Sequence, residues 1–472
     1  MAHVPSEIPG REIPRFPRLL WETRSAGRAS PEETRRLRKG RLARLLEFAR
    51  RRSPYYRKRC ASLPGETPDL RDFPAVTKRD LMENFDEWPT DPAISRETAE
   101  GFVSDASRIG HLYLGRYVAF STSGTTGSPA ILLHDAGAMS VYKALFLTRR
   151  LATLVDSGSP ARFARNLART ATIIATGGHF ASSVVEAIVR SRHPLLCGRN
   201  RTFSLMTPLP LLVRSLNDYQ PAVVGSYPTA LTVLAGEQAA GRLRISPALL
   251  LSGAERLSAP LAERIAASFR CPLRDTYAAS EFMGIAFDCR YGRLHANVDW
   301  LVLEPVDARG DPVPPGEVSR TTLLTNLANF VQPLIRYDLG DSMAVSPTPC
   351  PCGNPLPVVR PEGRSDETLF LSMEDGTPMP LLPLVLATVV EEVPGVLAYQ
   401  VLQTGPRTLR LRIEEAPGSD RVRTCGEVLA RLRRHLSSQK LDGVTLDMSE
   451  ELPRSESAGG KLRRFLVERN GR

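Results

Sequence analysis

Residues 121–129 read Ser-Thr-Ser-Gly-Thr-Thr-Gly-Ser-Pro and follow directly on an apolar, β-like run, Tyr117–Phe120. Two glycines permit a sharp turn and close backbone approach to a ligand, while six hydroxyls and the exposed amides can bind phosphate oxygens. No Gly-Lys-Ser/Thr closes the run, so it is not a loop of the Walker type. Taken alone, a run of this composition also fits a polar hairpin turn. A strand feeding such a segment asks for a sheet behind it, and the sequence supplies one. From about residue 110 to 345 short β-like runs alternate with helical patterns, which points to an α/β core. Expected strands are Tyr117–Phe120, Ala130–Leu133, Thr172–Ala175, Ala222–Val224, Leu249–Leu251 and Trp300–Leu303. Expected helices cover 137–152, 181–191, 229–240 and 259–269.

The 472 residues exceed one simple core and suggest two or three domains. Apolar residues make up 42% and charged residues 24%, as in an ordinary soluble protein. No stretch approaches the roughly 20 apolar residues of a membrane helix, and the N-terminus carries no secretory pattern, so a cytoplasmic protein is expected. Seven cysteines spread over this length do not form a disulfide framework. Much of the net charge of +11 is arginine, with a cluster between Arg35 and Arg59. Ser30-Pro31-Glu32-Glu33 predicts a helix start with a capping box. Leu42, Leu45, Leu46 and Ala49 then mark one buried face, leaving the arginines as a solvated basic surface. A nucleic-acid partner is not expected of that surface.

A Pro-, Cys- and Gly-dense stretch at 346–363 breaks the composition, and beyond it strands Val396–Gln403 and Leu409–Ile413 precede a helix at about 420–437. We place a domain boundary near Arg364, dividing residues 1–364 from 365–472. Just before it, Cys350-Pro351-Cys352 joins Cys289 and His295 to make three thiolates and an imidazole, a closed tetrahedral set for structural zinc. A Pro/Gly turn with two free thiols is the alternative. Cys60, Cys197, Cys271 and Cys425 read as ordinary core or surface cysteines.

The order Ser121-Thr122-Ser123-Gly124-Thr125-Thr126-Gly127-Ser128-Pro129 is similar to the phosphate loop of the adenylate-forming superfamily, which holds acyl-coenzyme A synthetases, adenylation domains and luciferases. Its nearest likeness is to the phenylacetate–coenzyme A ligase and coenzyme F synthetase branch. From about residue 40 to the C-terminus, further motifs follow in the family's order. Ser252-Gly253-Ala254-Glu255 resembles the turn lining the adenine pocket. Asp275-Thr276-Tyr277-Ala278-Ala279-Ser280-Glu281 resembles the Tyr-x-x-Ser/Thr-Glu element, which implies an adenine-stacking Tyr277 and a magnesium-binding Glu281. Tyr337-Asp338-Leu339-Gly340-Asp341 resembles the Tyr-x-x-Gly-Asp element, giving Asp341 both ribose hydroxyls, with Asp338 unassigned. Gly363-Arg364-Ser365-Asp366 resembles the hinge element, with Arg364 on the ribose and Asp366 as pivot. Gly459-Gly460-Lys461 resembles the element whose lysine enters the active site during adenylation. Two positions depart from the family: neither Ser128 nor Ala130 is the lysine many members carry there, which throws phosphate charge onto Mg2+ and the loop hydroxyls.

The resemblance implies an α/β fold: a large N-terminal adenylate-forming region of several subdomains, then a small α+β C-terminal lid carrying the catalytic Lys461. ATP, Mg2+ and a carboxylic acid are the implied cofactors and substrate. The acid pocket falls on His179, Phe180, Ser226 and Tyr227, whose aromatic members suit an aromatic or short acyl group. His179 reads equally well as a structural histidine. The adenylate would pass to coenzyme A. An amine, a hydroxyl or a carrier-protein thiol is the alternative acceptor, because Thr368–Pro380 differs in length and spacing from phenylacetate-type ligases. A non-enzymatic, basic nucleic-acid-binding protein would leave the ordered motifs unexplained.

Overall fold

The computed structural model describes residues 15–61, 69–121, 130–151, 160–166, 168–174, 179, 181–192, 199–205, 207–255, 257–364, 369–373, 376, 378–381, 386, 389–390, 393–438, 441–454 and 464–468. The chain opens with helices at Phe16–Ala26, Pro31–Arg52 and Pro54–Cys60. Ser30 caps the second through a reciprocal pair: its hydroxyl accepts from the Glu33 amide (3.2 Å) and its amide donates to the Glu33 carboxylate (2.9 Å). Leu45 and Ala49 are buried, with Leu42 and Leu46 packed beside them. The exposed basic face holds for Arg36, Arg44 and Arg51 but not for Arg41. Arg41 is buried because Trp300 takes its guanidinium face at 3.5 Å, while the Asp299 carbonyl (2.6 Å) and Glu22 (3.0 Å) take its protons.

Strands β1 (Val118–Ser121) and β2 (Ile131–His134) form an antiparallel hairpin, so residues 122–129 join two paired strands. Among the described residues the central sheet has nine strands. β3 (Thr170–Ile174), β4 (Asn200–Ser204), β5 (Val223–Ser226), β6 (Leu249–Gly253) and β7 (Leu273–Ala279) are parallel. Helices at 181–192, 209–219, 228–239 and 259–269 carry the crossovers that parallel pairing requires. β8 (Phe282–Asp288) and β9 (Leu294–Ala296) continue the sheet antiparallel. β10 (Leu301–Val306), β11 (Thr321–Asn326) and β12 (Tyr337–Asp338) form a separate three-stranded sheet. β13 (Asp341–Val345) and β14 (Val358–Arg364) then close the far edge of the large sheet, giving the order β13-β14-β9-β8-β7-β6-β5-β3-β4.

Beyond it, β15 (Leu369–Ser372) and β16 (Pro378–Leu381) make a hairpin from the unusual segment at 368–380. β17 (Val396–Gly405), β18 (Thr408–Glu415), β19 (Thr445–Met448) and β20 (Phe465–Val467) form a four-stranded sheet, ordered β19-β18-β17-β20, beside the helix Arg421–Ser438. Leu411, Ile413, Val428 and Leu432 centre a hydrophobic core whose members all come from residue 369 onward. Among the described residues no helix is long and apolar enough to cross a membrane.

Candidate active site

In the parallel half of the large sheet the chain lays β4 on one side of β3 and then crosses to lay β5 on the other. Crossovers leave in opposite directions there, and in open α/β sheets the carboxyl ends of such strands, here β3 and β5, are the general ligand position. Ser226 and Tyr227, read from sequence as acid-pocket residues, sit at this switch point. The Ser226 hydroxyl donates to the Ile173 carbonyl at 2.7 Å and fastens β5 to β3. Tyr227 is buried with Ile174 in a small apolar cluster of its own, against which the partly buried Leu205 packs. His179 follows closely after β3. Its carbonyl accepts from the Ser121 amide at 2.8 Å, which ties the end of β1 to the chain just beyond β3. Its buried ring lies 5.5 Å from Phe102, centroid to centroid. Burial holds this imidazole below the usual histidine range, opposed by the Arg108 and Val103 main chains.

Gly253 ends β6, and a Cβ there would meet the Thr276 carbonyl at 3.2 Å, so the close approach of β6 to β7 needs glycine. Ala254 next takes a left-handed φ of 67°, an unusual conformation for a residue with a Cβ and one that clusters at ligand sites. Glu255 follows, partly exposed. Ser280 and Glu281 form the two-residue turn between β7 and β8, where Ala279 pairs with Phe282.

Two tyrosine–carboxylate bonds then cross between this hairpin and the segment at 337–341. The Tyr277 hydroxyl donates to the Asp341 carboxylate at 2.5 Å, and the Tyr337 hydroxyl donates to the Glu281 carboxylate at 3.0 Å. Two carboxylates 60 residues apart in sequence are thereby each tied across the same pair of segments. Arg364 lies opposite Asp341 in the β13–β14 register. Asp338, unassigned from sequence, accepts from the Thr321 hydroxyl (2.5 Å) and the Gly340 amide (2.9 Å), so it holds the turn that presents Asp341. Thr122, Ser123, Gly124, Thr125, Thr126, Gly127, Phe180, Asp366 and Lys461 lie outside the described residues.

Sequence reasoning missed the groups behind these motifs. Tyr337 was visible as part of a motif but not as the partner of Glu281. His134 is fully buried and bonds the Ser280 carbonyl at 2.9 Å. Burial pushes its pKa down to about 4, against the Ser280 carbonyl and Asp135, which favour the proton. Arg150, also fully buried, pairs with Asp288 at 2.7 Å and donates to the Thr276 hydroxyl at 2.9 Å and to the Asp275 carbonyl. It therefore braces the strand from which Tyr277 projects.

The cysteine–histidine set converges. One donor atom from each of Cys289, His295, Cys350 and Cys352 lies within 4.8 Å of all the others. Cys289 Sγ and Cys350 Sγ are 3.7 Å apart, and tetrahedral zinc with bonds of ~2.3 Å to sulfur has edges of about 3.8 Å. His295 Nδ1 is 2.8 Å from the Leu356 carbonyl, which must accept, so Nε2 presents its lone pair toward Cys352 at 3.3 Å. The four residues could hold a zinc ion with no open position, joining the β8–β9 turn to the β13–β14 link. Cys352→Ser is expected to lower zinc content and thermal stability together, because binding and folding are coupled. Elemental analysis beside thermal unfolding checks this, and a wild-type protein purified metal-free at full stability would remove the clamp.

No family model matches the chain. Over 470 aligned residues, 92% of this chain and 96% of the relative, it is 26% identical to a phenylacetate-coenzyme A ligase of Thermus thermophilus. A stretch of 152 residues, 32% of the chain and 31% of the relative, is 27% identical to Protein CapK of Staphylococcus aureus. Among solved structures, 2-hydroxyisobutyryl-CoA ligase in the postadenylation state with 2-HIB-AMP matches with a TM-score of 0.65 at 20% identity, covering 100% of this chain and 95% of that one. An anthranilate CoA ligase in complex with anthranoyl-AMP matches with a TM-score of 0.51 at 17% identity, covering 73% of this chain and 64% of that one. The expected α/β fold is therefore that of CoA ligases of known structure, and the sequence likeness to a phenylacetate-coenzyme A ligase covers 92% of the chain.

Proposed function

From a chain with the adenylate-forming CoA ligase fold, we propose an ATP-dependent, AMP-forming acid–CoA ligase. A substrate carboxylate attacks the α-phosphorus of ATP, the bond to the β-phosphate oxygen breaks, and pyrophosphate leaves. The thiol of coenzyme A then attacks the acyl carbon and AMP departs. The crossed bonds Tyr277–Asp341 and Tyr337–Glu281 carry this reading, because they gather a sugar-binding and a metal-binding carboxylate beside the carboxyl edge of the sheet.

Residues 121–127 take the phosphates. Gly253, Ala254, Glu255, Thr276, Tyr277 and Ser280 line the nucleotide, and Asp341 with Arg364 takes the ribose. Glu281 would hold Mg2+, which supplies positive charge to the phosphate oxygens when bound. Lys461 neutralises charge that grows between the carboxylate and the α-phosphate, a task needing a cation more than a base since the nucleophile is already ionised. His179, Phe180, Ser226 and Tyr227 frame the acid, and the apolar cluster of Ile174, Leu205 and Tyr227 favours an aromatic or short acyl group over a charged one. Residues 365–472 act as a lid that turns about Asp366 to bring Lys461 in. The cytoplasmic location expected from the sequence suits ATP and coenzyme A as co-substrates.

The test is acid-dependent release of pyrophosphate from ATP across a panel of aromatic and short-chain carboxylates, followed by loss of free coenzyme A thiol. Lys461→Ala should slow the first step at least about 100-fold. No pyrophosphate with any acid would overturn the proposal. Adenylate formation without thiol consumption would point instead to an amine, hydroxyl or carrier-protein acceptor, the alternative left open by the length and spacing of Thr368–Pro380.

A further inference from the structure

Behind the Ser280–Glu281 turn, polar side chains from three separate elements meet. His134 ends β2, the return strand from the phosphate segment; Tyr142 lies on the helix Ala136–Leu145; Asn326 ends β11. All three are buried. Their hydrogen atoms can be placed by elimination. The Ser280 carbonyl only accepts, so His134 Nε2, 2.9 Å away, must carry the ring hydrogen. The neutral ring then offers a lone pair at Nδ1, and the Tyr142 hydroxyl donates to it at 3.2 Å. The Tyr142 oxygen in turn accepts from Asn326 Nδ2 at 2.8 Å. The second hydrogen of that amide goes to the Glu281 carbonyl, also at 2.8 Å. Asn326 cannot flip, because its Oδ1 accepts from the Ala328 (2.9 Å) and Asn329 (3.2 Å) amides. Direction is thus fixed at every link.

We infer that Asn326, Tyr142 and His134 form one directional hydrogen-bond chain that positions the Glu281 carboxylate, gripping both carbonyls of its two-residue turn; this rests on the nucleotide-site reading above. The side chain of Glu281 is held separately by Tyr337, whose strand β12 pairs with β11, so Asn326 and Tyr337 approach the turn from one small sheet. His134 approaches it from the phosphate hairpin. The chain therefore registers the metal-binding carboxylate against the strand that returns from the phosphates. A two-residue turn without that grip can rock, and a misplacement of about 1 Å costs up to roughly 100-fold in rate. Satisfied buried networks of this kind hold one geometry because any half-satisfied alternative strands a polar group.

Tyr142→Phe in the full-length enzyme removes one oxygen and leaves the packing. It should lower kcat for acid-dependent pyrophosphate exchange about 10-fold, as positioning losses do. The Mg2+ concentration for half-maximal rate should rise with KM for the acid little changed, and the unfolding midpoint should fall only modestly, as the Asn326 amide and the His134 Nδ1 each lose one buried partner. Mn2+ binding in the presence of ATP, followed by electron paramagnetic resonance, should weaken in parallel. His134→Gln keeps a donor near the Nε2 position and should retain more activity than His134→Leu. In wild-type protein at neutral pH, 15N spectra should show His134 as the Nε2–H tautomer. A folded Tyr142→Phe with unchanged kcat and Mn2+ affinity would overturn the inference, and so would an Nδ1–H tautomer or a uniform fall of every parameter with stability. If wild-type protein releases no pyrophosphate with any acid, the ligase reading fails instead, while the tautomer and Mn2+ affinity still test the chain.

Discussion

Glu281→Gln is expected to cut the rate of acid-dependent pyrophosphate exchange by about 100-fold or more, the scale of losing one charge partner to the reacting phosphates. The substitution preserves shape. Glutamine can still accept from the Tyr337 hydroxyl, and the main-chain grips of His134 and Asn326 do not touch the carboxylate. What disappears is one negative charge on a hard oxygen ligand, which Mg2+ selects over a neutral amide. The variant should therefore unfold like the wild type while requiring far more Mg2+. Initial rates over a Mg2+ series, beside thermal unfolding, separate the two. Tyr337→Phe is the graded control: it keeps the charge but frees the side chain, so its loss should be much smaller. Equal rates for Glu281→Gln and wild type at low Mg2+ would take Glu281 out of the metal site.

Periodicity carried the local structure well, and physics explains where it stopped. The helix expected at 259–269 is found at those residues, and the strands at Leu249 and Val396 begin where expected. The Ser30 cap is legible because its partner Glu33 is three residues away. Spacing also singled out the cysteine–histidine set, whose chemistry is written in residue type. Buried cations escaped. Arg41 and Arg150 look like surface residues until Asp299, Trp300 and Asp288 arrive from more than 130 positions away. The helix expected at 137–152 is regular only to Leu145 and then widens into a π-type turn at Phe146–Arg150, which no local propensity announces. That turn sends adjacent arginines to different partners: Arg149 takes Asp299 through both nitrogens, and Arg150 takes Asp288. Glu281 and Asp341 were legible as motif members, but the tyrosines that cross between them are properties of the fold.

The second large effect comes from the Arg150 pair. Asp288→Ala is expected to destabilise the protein by about 3–5 kcal/mol, the cost of leaving a buried charge without its partner. Arg150 has no exposed surface, and Asp288 is nearly as enclosed. Burial pushes the Arg150 pKa down and the Asp288 pKa up, so each ion is held charged chiefly by the other. Asp275 is the nearest remaining anion, yet burial raises its pKa too, and Arg274 adds a second cation to the same cluster. Removing Asp288 thus leaves two guanidinium groups facing one reluctant carboxyl. Asp288→Asn should cost less, since its carbonyl oxygen still accepts from Arg150. Arg150→Met with Asp288→Leu should recover much of the loss, because an apolar pair carries no desolvation penalty. Urea unfolding of the three variants measures this order. The recovered double variant should nonetheless bind ATP more weakly, as the Thr276 hydroxyl and Asp275 carbonyl lose the donor that braces Tyr277. A loss below about 1 kcal/mol in Asp288→Ala would mean that Arg150 finds a second anion or water once Asp288 is gone, and that the brace is not electrostatic.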